Sequence, residues 1–132
     1  EILSGLVGSE MCIRDRAIID AERLRTGVTP RDFSHEDIQR RYLAAMINEA
    51  ANVLHQGIAL RPSDIDMVFL SGYGFPRHRG GPMHYADRVG LANVLADIRA
   101  FAKEDPAFWK PSPLLVQLAE SGRDFASLNS AG

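Results

Sequence analysis

The sequence predicts an all-α fold, a small helical orthogonal bundle, and three observations carry that prediction. Apolar residues recur at three- and four-residue spacing through every long segment, the period of one helical face. Glycine and proline fall between the periodic segments, where helices stop. No stretch shows convincing strand alternation, and there is no internal repeat or low-complexity block. The main hazard to the assignment is Met67 to Leu70, a short apolar run that would pass as a buried strand.

The elements follow in order. Leu6 to Arg16 reads Leu-Val-Gly-Ser-Glu-Met-Cys-Ile-Arg-Asp-Arg, which back-translates in frame into a common transposon-type sequencing adapter. Residues 1–16 are therefore expected to be an artefact, disordered or irregular, and the gene product is expected to continue upstream of Ala17. Ala17 to Arg25 has helical composition, with Gly27 and Pro30 as its stop. Ser34 offers an N-cap, with Glu36 and Asp37 in the first turn of a long helix. Ile38, Tyr42, Leu43, Met46, Ile47, Val53 and Leu54 form its apolar stripe, and Gly57 ends it after roughly 30 Å at about 1.5 Å per residue.

Pro62-Ser63-Asp64 predicts a fresh start with Ser63 as cap, and Met67 to Leu70 continues that helix inward. Residues 71–82 are rich in glycine and proline and predict a shaped loop. Met83 to Val89 is a short helix, and Gly90 separates it from Leu91 to Phe101, whose positions 91, 94, 95, 98 and 101 share a face. Asp105-Pro106 stops that helix. Trp109 to Pro113 is an extended link, Leu114 to Ala119 a last helix ending at Gly122, and Ser127 to Gly132 a polar tail.

Composition narrows the function classes. The 132 residues fit one compact domain. Fifteen Lys and Arg against seventeen Asp and Glu give a net charge of -2, so no overall field favours nucleic acid or an anionic membrane. Mean hydropathy is -0.13, and no apolar run is long enough for a spanning helix. The one cysteine, Cys12, falls in the adapter-like stretch and excludes a disulfide framework.

Several motifs invite chemistry. Gly72-x-Gly74 after an apolar run suggests a dinucleotide loop, but the third glycine of that pattern falls on Arg77 and Pro76 removes a donor. Arg77-His78-Arg79 beside Gly80-Gly81 concentrates positive charge on flexible backbone, suited to an anion or to a carboxylate at a domain interface. His35, His55, His78 and His84 lack metal-ligand spacing. Asn48, Glu49 and Asp87 lie near apolar faces, where polar groups commonly satisfy backbone or helix ends. No catalytic constellation emerges.

Arg40-Arg41-Tyr42-Leu43 leading to Asn48-Glu49-Ala50, then Gly57-Ile58-Ala59, Asp64-Ile65-Asp66, Gly72-Tyr73-Gly74-Phe75-Pro76, Gly80-Gly81-Pro82, Asp87 and Val89-Gly90-Leu91 resemble, in order and spacing, the 3-hydroxyacyl-CoA dehydrogenase C-terminal domain. The resemblance covers Ala17 to Asn129. It implies a fold of the 6-phosphogluconate dehydrogenase C-terminal-like type over residues 17–132, with Asn48, Glu49, Gly74, Pro76, Gly81, Pro82 and Asp87 as structural motif residues. The chain is most similar in pattern to the second of two helical repeats in multifunctional β-oxidation enzymes, which also carry an enoyl-CoA hydratase/isomerase domain and a Rossmann NAD domain. Arg40 stands where the catalytic repeat has its active-site Asn, and the loop from Phe75-Pro76 to Gly81-Pro82 is longer than that repeat's tight turn. The family's His-Glu dyad and NAD-binding glycines belong to the Rossmann domain.

The resemblance therefore implies no catalytic, cofactor-binding or metal residue here. For the parent enzyme it implies NAD-dependent oxidation of a (3S)-3-hydroxyacyl-CoA to the 3-oxoacyl-CoA. The implied partners are the upstream catalytic repeat and Rossmann domain of the same protein, acyl-CoA as the parent's substrate, and a second copy in a homodimer. The location is cytoplasmic in a bacterium or peroxisomal in a eukaryote. The rival expectation is a free-standing helical interaction or dimerisation module.

Overall fold

The computed structural model describes residues 15–129. The chain divides into two units, one ending at Phe33 and one beginning at Ser34. In the first, a helix over 15–26 (α1) is held on its surface by Asp20–Arg23 and Glu22–Arg25 ion pairs, and Ile18 and Leu24 stay exposed. Asp15 and Arg16, expected to be irregular, are helical. The rest of the adapter-like stretch lies outside the described residues.

The second unit starts with α2, His35–His55. Ser34 Oγ accepts from the Asp37 N–H at 3.1 Å and the Asp37 carboxylate accepts from the Ser34 N–H at 3.3 Å, the reciprocal capping box that quiets two orphan donors. Gln56 caps the far end, and Gly57 follows at φ +71°, the left-handed turn that lets the chain leave the helix. The buried face differs from the expected stripe. Ala44, Ile47, Asn48, Ala50 and Ala51 are buried, while Ile38 and Tyr42 are 54% and 64% exposed. The alanines decide this: α4, α5 and α6 all pack on α2, and small side chains let helix axes approach closely.

Helix α3 is Pro62–Gly72. Its N-cap is Arg61, not Ser63, because Pro62 takes the first helical position, where its missing N–H costs nothing. Met67 and Val68 are helical and exposed, so the strand hazard resolves to helix and the run does not continue inward. Pro62 and Ile65 are the buried members of this helix. A 3-10 turn, Arg77–Arg79, punctuates the loop.

Helices α4 (Pro82–Val89), α5 (Leu91–Phe101) and α6 (Pro113–Ser121) complete the bundle. Helix α5 ends at Phe101 with Ala102 as its C-cap, before Asp105-Pro106. Asp105 instead accepts the Ala107 and Phe108 N–H groups, and the turn it shapes delivers buried Trp109 against Phe101, ring centroids 4.9 Å apart. The expected polar tail holds a second 3-10 turn, Ala126–Leu128, preceded by fully buried Phe125. Ile47, Met83, Ile98, Leu115, Leu118 and Phe125 are the largest fully buried apolar side chains, each stabilising by about 1.5–3 kcal/mol relative to exposure. The described residues contain no strand.

Candidate functional site

Three side chains tie distant backbone together and set the shape of the surface. Buried Asn48 donates from Nδ2 to the Lys110 carbonyl at 2.9 Å, and its Oδ1 accepts the Ser112 N–H at 2.8 Å. It pins the Trp109–Pro113 link to α2. Asp87 accepts the Phe125 and Ala126 N–H groups at 2.8 and 2.9 Å, holding the chain end onto α4. Asp66 on α3 accepts the Met83 and His84 N–H groups at 2.8 and 3.1 Å, capping α4 from another helix.

Burial pushes the Asp66 and Asp87 carboxyls above the ordinary carboxylate value, and the N–H groups they accept oppose that rise. Gly81 makes the Asp66 contact fit. Its φ is +98°, and a Cβ there would collide with the Asp66 carboxylate. Pro82 then starts α4 at the first helical position.

The two remaining sides of α2 and α3 enclose an apolar groove of about 680 Å³, lined chiefly by Met46, Val53, Ile58, Leu60, Val68 and Phe69. Glu49 and Asp64 are its charged lining residues. Its mouth is unusually apolar for a surface: Ile58 is 71% and Leu60 86% exposed. Beyond Phe69 and Tyr73 the groove continues into a recess of about 470 Å³ that reaches Tyr42, Phe75, His78 and Arg79. Phe69 stacks obliquely on Tyr73 at 5.4 Å and edge-on to Phe75 at 6.4 Å, so aromatic rings form the floor between the two parts.

The motif residues read from the sequence separate into two groups. Asn48, Gly81, Pro82 and Asp87 are in the tertiary clasps. Glu49 is exposed at the groove rim, and Gly74 and Pro76 shape the turn out of α3. Arg77, His78 and Arg79 share one 3-10 turn, and Arg79 lies over the Tyr85 ring at 5.2 Å. Gly72 is the last residue of α3, so Gly72-x-Gly74 follows no strand and lacks the strand-turn-helix of a dinucleotide loop.

Arg40, which the resemblance aligns with the catalytic Asn, is ion-paired to Asp97 of α5. Its neighbour Arg41 pairs with Glu104 at 2.8 Å and lies over the Phe101 ring. Asp66, Phe125 and the groove itself were not legible as site features. Asp66 reaches across 17 positions to α4, and a groove between two helices leaves no local pattern.

Fold and face define an all-helical domain with one large apolar side. The chain belongs to the 3-hydroxyacyl-CoA dehydrogenase C-terminal domain family, which matches residues 38–125. It is 44% identical over 107 residues to the peroxisomal bifunctional enzyme of Danio rerio, which covers 80% of this chain and 15% of that protein. It is 32% identical over 113 residues to the fatty acid oxidation complex subunit alpha of Shewanella halifaxensis, covering 86% of this chain and 16% of that protein. Among solved structures, (S)-3-hydroxybutyryl-CoA dehydrogenase PaaH1 from Ralstonia eutropha is similar with a TM-score of 0.57 and 34% identity, over 63% of this chain and 28% of that one. The chain thus spans a small part of the length of the curated relatives it matches.

Proposed function

We propose that this chain is the second, non-catalytic helical repeat of a multidomain β-oxidation enzyme, over residues 17–132, and that it works by packing on the catalytic repeat. The observation that carries the reading is the apolar groove between α2 and α3, whose exposed Ile58, Leu60 and Val68 form a contiguous patch of the kind that marks an interaction surface. Two features favour the second repeat over the first: Arg40, committed to Asp97, stands at the Asn position, and the Phe75–Pro82 loop is long.

The whole enzyme oxidises a (3S)-3-hydroxyacyl-CoA. The hydride leaves C3 for the nicotinamide of NAD while a base on the Rossmann domain takes the hydroxyl proton, giving the 3-oxoacyl-CoA. This domain contributes preorganisation, holding the neighbouring domains so that the reacting atoms stay in reach. The relatives include peroxisomal and bacterial proteins, and the enzyme works in the peroxisome or the bacterial cytoplasm. No described helix is long and apolar enough to cross a membrane.

The test is to recover the gene upstream of Ala17, express the full protein, and assay 3-hydroxybutyryl-CoA with NAD beside the isolated chain. The full protein should turn over and contain an upstream Asn-bearing repeat and a GxGxxG strand-turn-helix; the isolated chain should be inactive. Turnover by the isolated chain, or an upstream region without a Rossmann domain, overturns the proposal. The latter outcome would favour a free-standing interaction module.

A further inference from the structure

The groove between α2 and α3 has a direction as well as an apolar floor. It begins at Gln39 and ends at Val53 along α2, about 20 Å at 1.5 Å per residue, which is the length of a helix of about 14 residues. Gln39, Tyr42 and Leu43 of the N-terminal half of α2 line one end of it together with Phe69 and Tyr73 at the C-terminal end of α3. There His78 and Arg79 of the 3-10 turn line the groove, exposed Arg77 stands on the same turn, and no ion pair among the described residues involves any of the three. Glu36 shares a small neighbouring recess with Arg79, leaving that end net positive.

The opposite end carries Glu49 and Asp64. Asp64 is paired with Arg61 at 2.8 Å, so the net charge there rests on exposed Glu49. The groove is therefore basic at one end, apolar along its length and acidic at the other.

We propose that the groove receives a single amphipathic helix from the rest of the same multidomain protein, lying antiparallel to α2 with its acidic C-terminal end on Arg77–Arg79 and its N-terminal end at Glu49. The proposal rests on the packing role proposed above and adds the chemistry and polarity of the occupant. Charge complementarity orients it, and the helix dipole adds to the same preference, because a helix C-terminus is negative. Shape argues against a second copy of this chain, since two grooves set face to face would leave both unfilled, whereas one helix about 10 Å across fills one. Ample chain is available, because the matched segment is 15% of the Danio rerio relative.

The test uses the whole chain and two synthetic 14-residue helical peptides, stapled to equal helicity, with the same leucine face. One carries lysines in its first turn and glutamates in its last; the other carries glutamine at those positions. At low salt the charged peptide should bind about tenfold tighter, and Arg77→Glu with Arg79→Glu, or Glu49→Lys alone, should remove that advantage. A nitroxide on the charged peptide's C-terminal residue should broaden the amide signals of Arg77–Arg79 and leave those of Ile58–Asp64 sharp. Equal affinities, an advantage unmoved by both variants, or broadening at Ile58–Asp64 overturns the proposal, as does failure of both peptides to bind. A chain that sediments as a dimer and binds peptide only on dissociation assigns the groove to a second copy and also overturns it. Equal binding of both peptides that Val68→Lys abolishes removes the polarity and leaves the packing role intact.

Discussion

Asn48 shows how much one side chain carries in a bundle of short helices. The Trp109–Pro113 link runs without regular structure into α6, so its backbone groups need partners from elsewhere. Asn48 supplies a donor and an acceptor in one planar amide, to Lys110 and Ser112, and it is 7% exposed, so water does not substitute readily. Asn48→Ala removes both bonds and strands the Ser112 N–H and the Lys110 carbonyl, a loss of about 2–6 kcal/mol when each abandoned group costs about 1–3 kcal/mol. Asn48→Asp should also destabilise, because a carboxylate accepts from Ser112 but cannot donate to Lys110. Urea unfolding at constant slope measures both; an Asn48→Ala loss under about 0.5 kcal/mol would mean that the link is held by its packing alone. The polar residue next to apolar positions was legible in the sequence as a backbone satisfier. Its partners, more than 60 positions away, were not.

At the scale of elements, α2 and α4 begin in opposite ways. The α2 cap is local: Ser34 and Asp37 lie three residues apart, and the sequence shows the start directly. Helix α4 begins Gly81-Pro82, with no side-chain cap of its own, and takes Asp66 from α3 instead. The sequence gives no sign that Asp66 caps α4, because capping chemistry supplied through space has no sequence period. The arrangement has a pH signature. Burial raises the Asp66 carboxyl above its ordinary value of 3.8, with His84 and Asp87 as its charged neighbours. Between 3.8 and the raised value the native state binds more protons than the unfolded state, so this residue's contribution to stability is greatest in acid and declines as pH rises through that window. Asp66→Asn removes the titration and also one of the two acceptors. The stability difference, wild type minus variant, should therefore fall as pH is raised from below 3.8 through the window above it. Thermal unfolding of both proteins across that range checks it, and a difference that grows with pH would show the two N–H groups outweighing burial.

Over the whole molecule, helix positions were legible because each periodic run ends at a glycine or proline, but which face is buried was not. Ile38 and Tyr42 share the period of Ile47 yet stay exposed, because helical spacing reports that a face is apolar and not what covers it. Three helices of this chain cover the alanine side of α2. The groove side of α3 is covered by nothing among the described residues of the second unit, and that difference separates core from docking face by experiment. Ile47→Ala empties a site 1% exposed and should cost about 2–5 kcal/mol. Val68→Lys places a good helix former at a site 55% exposed and, with Leu60→Lys beside it, should change the isolated chain's stability by no more than about 0.5 kcal/mol. If the groove is covered in the longer protein as proposed, the same lysines would be buried there without partners, so that protein's unfolding temperature and the dehydrogenase activity proposed for it should both fall. The contrast, silent in the chain and damaging in the enzyme, belongs to a covered face. A pair of lysines equally silent in both would mean that the groove faces solvent in the assembled protein.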